Sequence, residues 1–316
     1  MNTYIRNKPA WLQLVIFGGL TIGIAVFSSL IGTAIVAYFN HLSFTDIIAL
    51  EAADYAKPGY AGVTKGMVVV QFFIFLLPSL LFAYFADPRP LQFAGLKKPD
   101  RVSFVFLGII IILCSYLMVE WLGVVNQQLV QNLLGKTAQK WIEKGESDIG
   151  ATLQNILTMK NTGDLLVSIL LVGILAAVGE ELFFRGILQR IFIQVFKKPW
   201  MGIIVTAAIF SAIHGQFLGF IPRMILGIIL GALYWYSGSL LPAIAGHFVF
   251  NSLQVLLIYY KVMDINQQTS VNDKLLPVTG IAAMLIVIAL FYYMRKHSVT
   301  TYSSVYSDNR ESGIDN

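Results

Sequence analysis

Long apolar runs recur along this chain at a length that only a bilayer explains. Trp11 to Phe39, Met67 to Ala86, Phe104 to Val125, Leu165 into the region of Phe183, Met201 to His214, Phe217 to Tyr236, Leu240 to Tyr260 and Val278 to Met294 are the runs. Most come near the roughly 20 apolar residues needed to cross the hydrocarbon core. Backbone in lipid must satisfy its own hydrogen bonds, so such runs fold as helices. The expected fold is all-α: a polytopic membrane protein with about eight transmembrane helices. Composition agrees, because 57% hydrophobic and 12% charged residues, with a mean hydropathy of +0.72, leave too little polar surface for an ordinary soluble domain.

The first run follows Arg6 and Lys8, as a signal peptide's core would, but it extends past the ~7–15 residues of such a core and lacks an A-x-A cleavage site. It reads as a retained helix. With the N-terminus in the cytoplasm, the inner segments hold Arg6, Lys8, Arg89, Lys97, Lys98, Arg101, Arg190, Lys197, Lys198, Arg295 and Lys296, and the outer ones only scattered lysines mixed with acids. This positive-inside pattern predicts a multi-pass protein of the cell (plasma) membrane with both termini cytoplasmic. The net charge of +5 and the pI near 9.1 come from these loop clusters, so the partner they imply is the lipid bilayer and not nucleic acid. The single cysteine, Cys114, lies in an apolar run and reads as a packing residue.

Residues 1–296 read as a single transmembrane helical domain with its chemistry-bearing motifs in 165–260, and the serine-rich polar stretch 297–316 as a disordered cytoplasmic tail. The longest connection, Asn126 to Gly163, carries Leu129, Val130, Leu133, Leu134, Trp141 and Ile142 at a rough helical period. It is either an amphipathic helix on the outer surface or a polar loop with a few anchors. Gly227-x-x-x-Gly231 marks a close contact between helices.

Against this background the stretch "VGEELFFRGILQR", Val178 to Arg190, stands out. A charge at the bilayer centre costs roughly 2.5–3.5 kcal/mol on insertion scales, so Glu180, Glu181 and Arg185 must be paired, solvated or used. On one helix Glu181 and Arg185 lie four apart and face each other in the favourable acid-first order, while Glu180 points about 100° away. Either Glu181 and Arg185 are a structural pair with Glu180 capped by another helix, or Glu180 is a catalytic base. This segment leaves both open.

The other embedded polar residues add to it. The next helix ends in "FSAIHG", with Phe210 and His214 on one face. Counted from the hairpin near Pro199, Glu180 and His214 lie at similar depths, roughly 28 and 22 Å along their helices. A later helix carries "HFVFN", where His247 and Asn251 share a face roughly 10 and 16 Å beyond the break near Pro242. Ordinary tilt lets all of them converge on one polar pocket. Singly, a membrane histidine or asparagine is commonly a bond between helices; the conjunction with the glutamates points to a site. His41 and His297 fall at span ends, Glu120 reads as structural or as lining an access path, and Arg223 snorkels or faces a cavity.

Glutamate and histidine together can take a proton from water, and histidine and asparagine can hold the oxyanion formed when that water attacks a carbonyl. Two imidazoles and a carboxylate would also suit zinc with one open position, as in a metalloprotease; that set would be Glu180, His214 and His247. No cofactor is demanded by the pattern, and no H-E-x-x-H helix is present.

Glu180-Glu181-x-x-x-Arg185, Phe210-x-x-x-His214 and His247-x-x-x-Asn251, in this order on successive apolar helices, resemble the three signatures of the CAAX protease and bacteriocin-processing (CPBP, or Abi) family of intramembrane endopeptidases. The resemblance covers roughly Leu165 to Tyr260. It implies that Glu180 activates water with His214, that His247 and Asn251 are oxyanion or ligand groups, and that Arg185 orients the acidic pair. It further implies substrates that are membrane-associated peptides or prenylated proteins cut near a C-a-a-X box. Two other classes use the same residues: a proton- or ion-coupled transporter, and a non-catalytic immunity or scaffold protein. A rhomboid-like serine protease built on Ser237-Gly238-Ser239 and His247 leaves the glutamates unexplained, and that segment reads as a turn.

Overall fold

The computed structural model describes residues 4–51, 54, 55, 57–263, 275–302 and 305, and no strand occurs among them. The helices are α1 (Ala10–Phe39), α2 (Phe44–Ile48), α3 (Ala61–Ala86), α4 (Pro90–Phe93), α5 (Ser103–Leu133), α6 (Lys136–Ile156), α7 (Thr162–Phe196), α8 (Pro199–Ala212), α9 (Phe220–Ser237), α10 (Leu241–Tyr259) and α11 (Leu276–His297). Seven of them, α1, α3, α5, α7, α9, α10 and α11, are long and apolar enough to cross a membrane. The chain is thus an all-α, multi-pass membrane protein.

The eighth expected span is α8, and it is short. Its 14 residues rise about 21 Å, less than the ~30 Å hydrocarbon core. It stops where Gly215, at φ +67, reverses the chain. A second difference lies in α7, whose 35 residues run continuously but contain π-helical stretches at Ile169–Leu175 and Glu181–Gln189. Such turns widen the helix and rotate the side chains that follow.

Two apolar cores hold the bundle. Phe17, Phe82, Phe183, Phe184 and Phe210 join α1, α3, α7 and α8, while Ile111, Ile112, Leu230, Leu233 and Met294 join α5, α9 and α11. The contact read from Gly227-x-x-x-Gly231 is present. A methyl built on Gly227 would stand 3.0 Å from Ala207 Cβ, and one on Gly231 would stand 2.5 Å from Gln189 Oε1 and 3.0 Å from Ile203 Cγ2. Their missing side chains let α9 press against α7 and α8.

The clusters of basic residues gather at one end of the bundle. There Arg6 pairs with Asp87 at 2.7 Å, the Arg190 guanidinium lies over the Phe93 ring, and Ser239 donates to Lys97 O. The α9–α10 turn sits at this end, with Gly238 at φ +64 and the Ser237 hydroxyl bonded to Leu233 O and Ser239 O. Ser237-Gly238-Ser239 is therefore a turn. At the opposite end the long connection forms α6 and not a loop. This helix buries Ile142, Asn155 and Ile156, leaves Trp141 exposed, and is tied by Asn155 Nδ2 to Tyr55 O and Lys57 O. Of the stretch read as a disordered tail, 303, 304 and 306–316 lie outside the described residues, and Thr300 bonds Asp100.

Gly231→Leu should lower the melting temperature in detergent by roughly 5 °C, because overpacking a filled contact costs ~1–3 kcal/mol. Gly18→Leu, at a glycine with no neighbour within 4 Å, should leave it unchanged. Paired thermal scans check the contrast, and equal melting points would refute the contact.

Candidate functional site

Small residues bring the middle of α7 close to its neighbours. A methyl on Gly179 would stand 2.9 Å from the Phe72 ring of α3, and one on Gly173 would stand 2.7 Å from Ser252 Oγ of α10. The charged residues follow on the next turns of α7. Arg185 Nη1 donates to Glu181 Oε1 at 2.7 Å, and both side chains are fully shut from solvent. Arg185 Nη2 donates to Gly227 O at 3.3 Å, and its guanidinium lies 4.4 Å over the Phe210 ring. The same Glu181 Oε1 stands 2.8 Å from His247 Nδ1.

This arrangement sets the orientation of His247. Arginine offers only donors, so Glu181 Oε1 opposite it is an acceptor, and it also accepts a hydrogen bond from His247 Nδ1–H. The other ring nitrogen, Nε2, then faces Glu180, whose Oε2 is 3.8 Å away. That gap exceeds a direct hydrogen bond. Glu180 is the more open of the two acids, at 12% side-chain exposure against 0% for Glu181.

His214 and Asn251 are placed differently. His214 lies just beyond the end of α8, with Nδ1 2.7 Å from Phe210 O. A carbonyl can only accept, so Nδ1 carries the proton and Nε2 is the free acceptor of the neutral ring. The Phe210 ring lies next to both imidazoles, 4.9 Å from that of His214 and 6.3 Å from that of His247. The structure thus brings His247 Nε2 to 3.8 Å from Glu180 Oε2, while His214 stands at the end of α8 beside Phe210. Asn251 Nδ2 donates to Val172 O at 2.8 Å, inside the first π-helical stretch, and so braces α10 against α7.

Zinc fits poorly. Among the described residues no three His, Cys, Asp or Glu side chains are gathered into a metal-holding group, so Glu180, His214 and His247 do not form the expected ligand set. Each imidazole is held through Nδ1, by Glu181 for His247 and by Phe210 O for His214, which fixes the ring and leaves Nε2 outward.

The structure adds residues that the sequence reading missed. Asn126 Nδ2 donates to Phe217 O and Leu218 O, Glu146 accepts from Leu218 N–H and Gln216 Nε2, and Arg223 Nη2 donates to Gln216 Oε1. Arg223 thus faces inward. Glu120 and Glu146 both line a cavity of about 390 Å³ between α5, α6 and the 213–219 loop. A sequence signal for Glu146 exists: it interrupts the apolar stripe Ile142, Ile149, Leu153, Ile156 of α6.

Comparison with known proteins bears on the same stretch. A family model described as Type II CAAX prenyl endopeptidase Rce1-like matches residues 162–253, from the start of α7 into α10. The match supports the CAAX protease and bacteriocin-processing family that the three motifs resemble. The uncharacterized protein YpbD of Bacillus subtilis (strain 168) is 25% identical over 137 residues, 42% of this chain and 65% of that protein. An uncharacterized 24.3 kDa protein of Escherichia coli is 30% identical over 101 residues, 31% of this chain and 46% of that protein. The chain thus spans less than two thirds of the length of either relative. No solved structure matches.

Arg185→Leu, which leaves the buried Glu181 carboxylate facing no cation, should lower unfolding free energy by about 3–5 kcal/mol. Arg185→Lys should not restore it, since an ammonium cannot reach Glu181, Gly227 O and the Phe210 face together. The double variant Glu181→Leu/Arg185→Leu should lose less than Arg185→Leu alone. Denaturant titration of the detergent-solubilised variants checks the ordering, and additive losses would show that the pair is not coupled.

Proposed function

We propose that this protein is an intramembrane endopeptidase that hydrolyses peptide bonds of membrane-associated or prenylated (CAAX-type) proteins and peptides with water activated by glutamate and histidine. One observation carries this reading: Glu180 Oε2 and His247 Nε2 face each other at 3.8 Å, with His247 held from behind by Glu181 and Arg185. The family match over residues 162–253 supports the protease class. The basic end of the bundle, with both termini, is assigned to the cytoplasmic face of the plasma membrane.

A separation of 3.8 Å lets one substrate water bond to both groups at once. Glu180 takes a proton from that water as its oxygen attacks the scissile carbonyl carbon, forming a C–O bond and an oxyanion. Collapse of the tetrahedral intermediate breaks the C–N bond, and the proton on Glu180 passes to the leaving amine, so the carboxylate is regenerated. The second amide hydrogen of Asn251, one turn beyond His247, is suited to the oxyanion, where a donor in a water-poor site is worth more than in solvent. His214 Nε2, as a free acceptor, serves the hydrogen-bonding of the water or the departing amine. Arg185 acts at one remove, by holding Glu181 in place and, through it, His247 turned.

Glu180→Gln keeps the shape of the side chain but cannot take a proton. It should lower turnover about a thousandfold, at the scale of a lost general base, with insertion and melting temperature unchanged. The assay is cleavage of prenylated and unprenylated membrane peptides by the purified protein in detergent. Retained turnover in Glu180→Gln removes Glu180 as the base. An absence of product across a broad panel, together with Glu180-dependent proton flux in liposomes, would favour the transporter reading.

A further inference from the structure

The loop that presents His214 is held from outside the helices that carry the other site residues. After α8 the chain turns at Gly215, and residues 213–219 carry no helix of their own before α9 begins. Asn126 of α5 holds two carbonyls of this loop, those of Phe217 and Leu218, at 2.7 and 2.6 Å. Neither bond engages a backbone N–H of the loop. The Leu218 N–H goes instead to Glu146 Oε1 of α6 at 2.9 Å, and Glu146 Oε2 accepts from Gln216 Nε2 at 3.3 Å. Gln216 Oε1 in turn accepts from Arg223 of α9 at 2.6 Å. Trp141, on the same helix as Glu146, meets the Phe217 ring edge to face at 5.6 Å.

Among the described residues, Glu146 is thus the acid that joins an amphipathic, half-exposed helix to the His214 loop. It sits in the wall of the roughly 390 Å³ cavity, so the loop has room to relax on that side if the anchor is lost. Among the described residues, the bonds that join Arg185, Glu181 and His247 use no group of α6.

We propose that Glu146 is a positioning residue for the site: through Leu218 N–H and Gln216 it holds the 213–219 loop in the conformation that presents His214, so that docking of α6 governs whether the site is complete. For its effect on turnover this rests on the endopeptidase reading above; for its effect on the loop it does not.

Amide hydrogen exchange and peptide-cleavage kinetics on the full chain in detergent test the two parts separately. In the native chain the Leu218 amide should be protected, since Glu146 is its acceptor. In Glu146→Ala its exchange should quicken at least tenfold and kcat should fall about tenfold with KM changed less than twofold. Glu146→Gln, which keeps a carbonyl oxygen for Leu218 N–H, should return both to within about twofold of native. Rapid exchange of Leu218 in the native chain overturns the proposal without any variant needing to fold. Native exchange and native kcat in Glu146→Ala overturn it as well. If Leu218 responds as expected but the native chain cleaves nothing, the loop anchor stands and the endopeptidase reading fails.

Discussion

A guanidinium enclosed in an apolar bundle imposes more on this structure than any other group. Arg185 cannot shed its charge, so it must meet an anion, and Glu181 one turn away supplies it at 2.7 Å. That leaves hydrogens on the far side of the guanidinium and a second demand on the carboxylate. The first is met by the carbonyl of Gly227, which α9 can bring close only because the residue has no side chain. The second is met by His247 of α10. Three helices are thereby registered to one ion pair, and the free nitrogen of the imidazole is directed at Glu180 as a result.

The packing around this pair belongs to the same solution. Phe210 turns its face to the guanidinium, lies beside both histidines, and sits in the aromatic core with Phe183 and Phe184. A buried ion pair is weak evidence of stability in itself, because desolvation offsets most of the attraction. Its value here is directional: it limits the orientations of a histidine that would otherwise be free to rotate in its pocket.

Much of this was legible from residue spacing. The apolar runs marked the spanning helices, the i, i+4 relation marked the Glu181–Arg185 pair, and the two small residues of Gly227-x-x-x-Gly231 marked the face of α9 that packs closest. What was not legible depended on where the backbone leaves ideal geometry. Hydropathy measures composition, so it read Met201 to His214 as a span although the run is as short as α8 itself. Depth counting assumed an ideal helix, but π-helical turns begin at Glu181, and Phe210 occupies the space next to His214. The approach of His247 Nε2 to Glu180 Oε2 was not read from spacing. Asn251, read from its spacing with His247, bonds the backbone of α7 at Val172. Glu146 showed only as a break in the apolar stripe of α6, and its partner Leu218 N–H, like the loop carbonyls that Asn126 holds, is a backbone group that no side-chain pattern encodes.

The ion pair also bears on how the chain is made. α7 leaves the ribosome before α9 and α10 exist, so Gly227 and His247 cannot attend Arg185 at that moment. Glu181 can, because it lies on the same helix. An arginine and a glutamate entering lipid separately would each face the insertion penalty of a central charge. Joined across one helical turn, they enter as a neutral dipole, and the later helices then close over a charge that is already matched. The spacing that fixes the orientation of His247 is also what lets α7 be threaded into the bilayer alone.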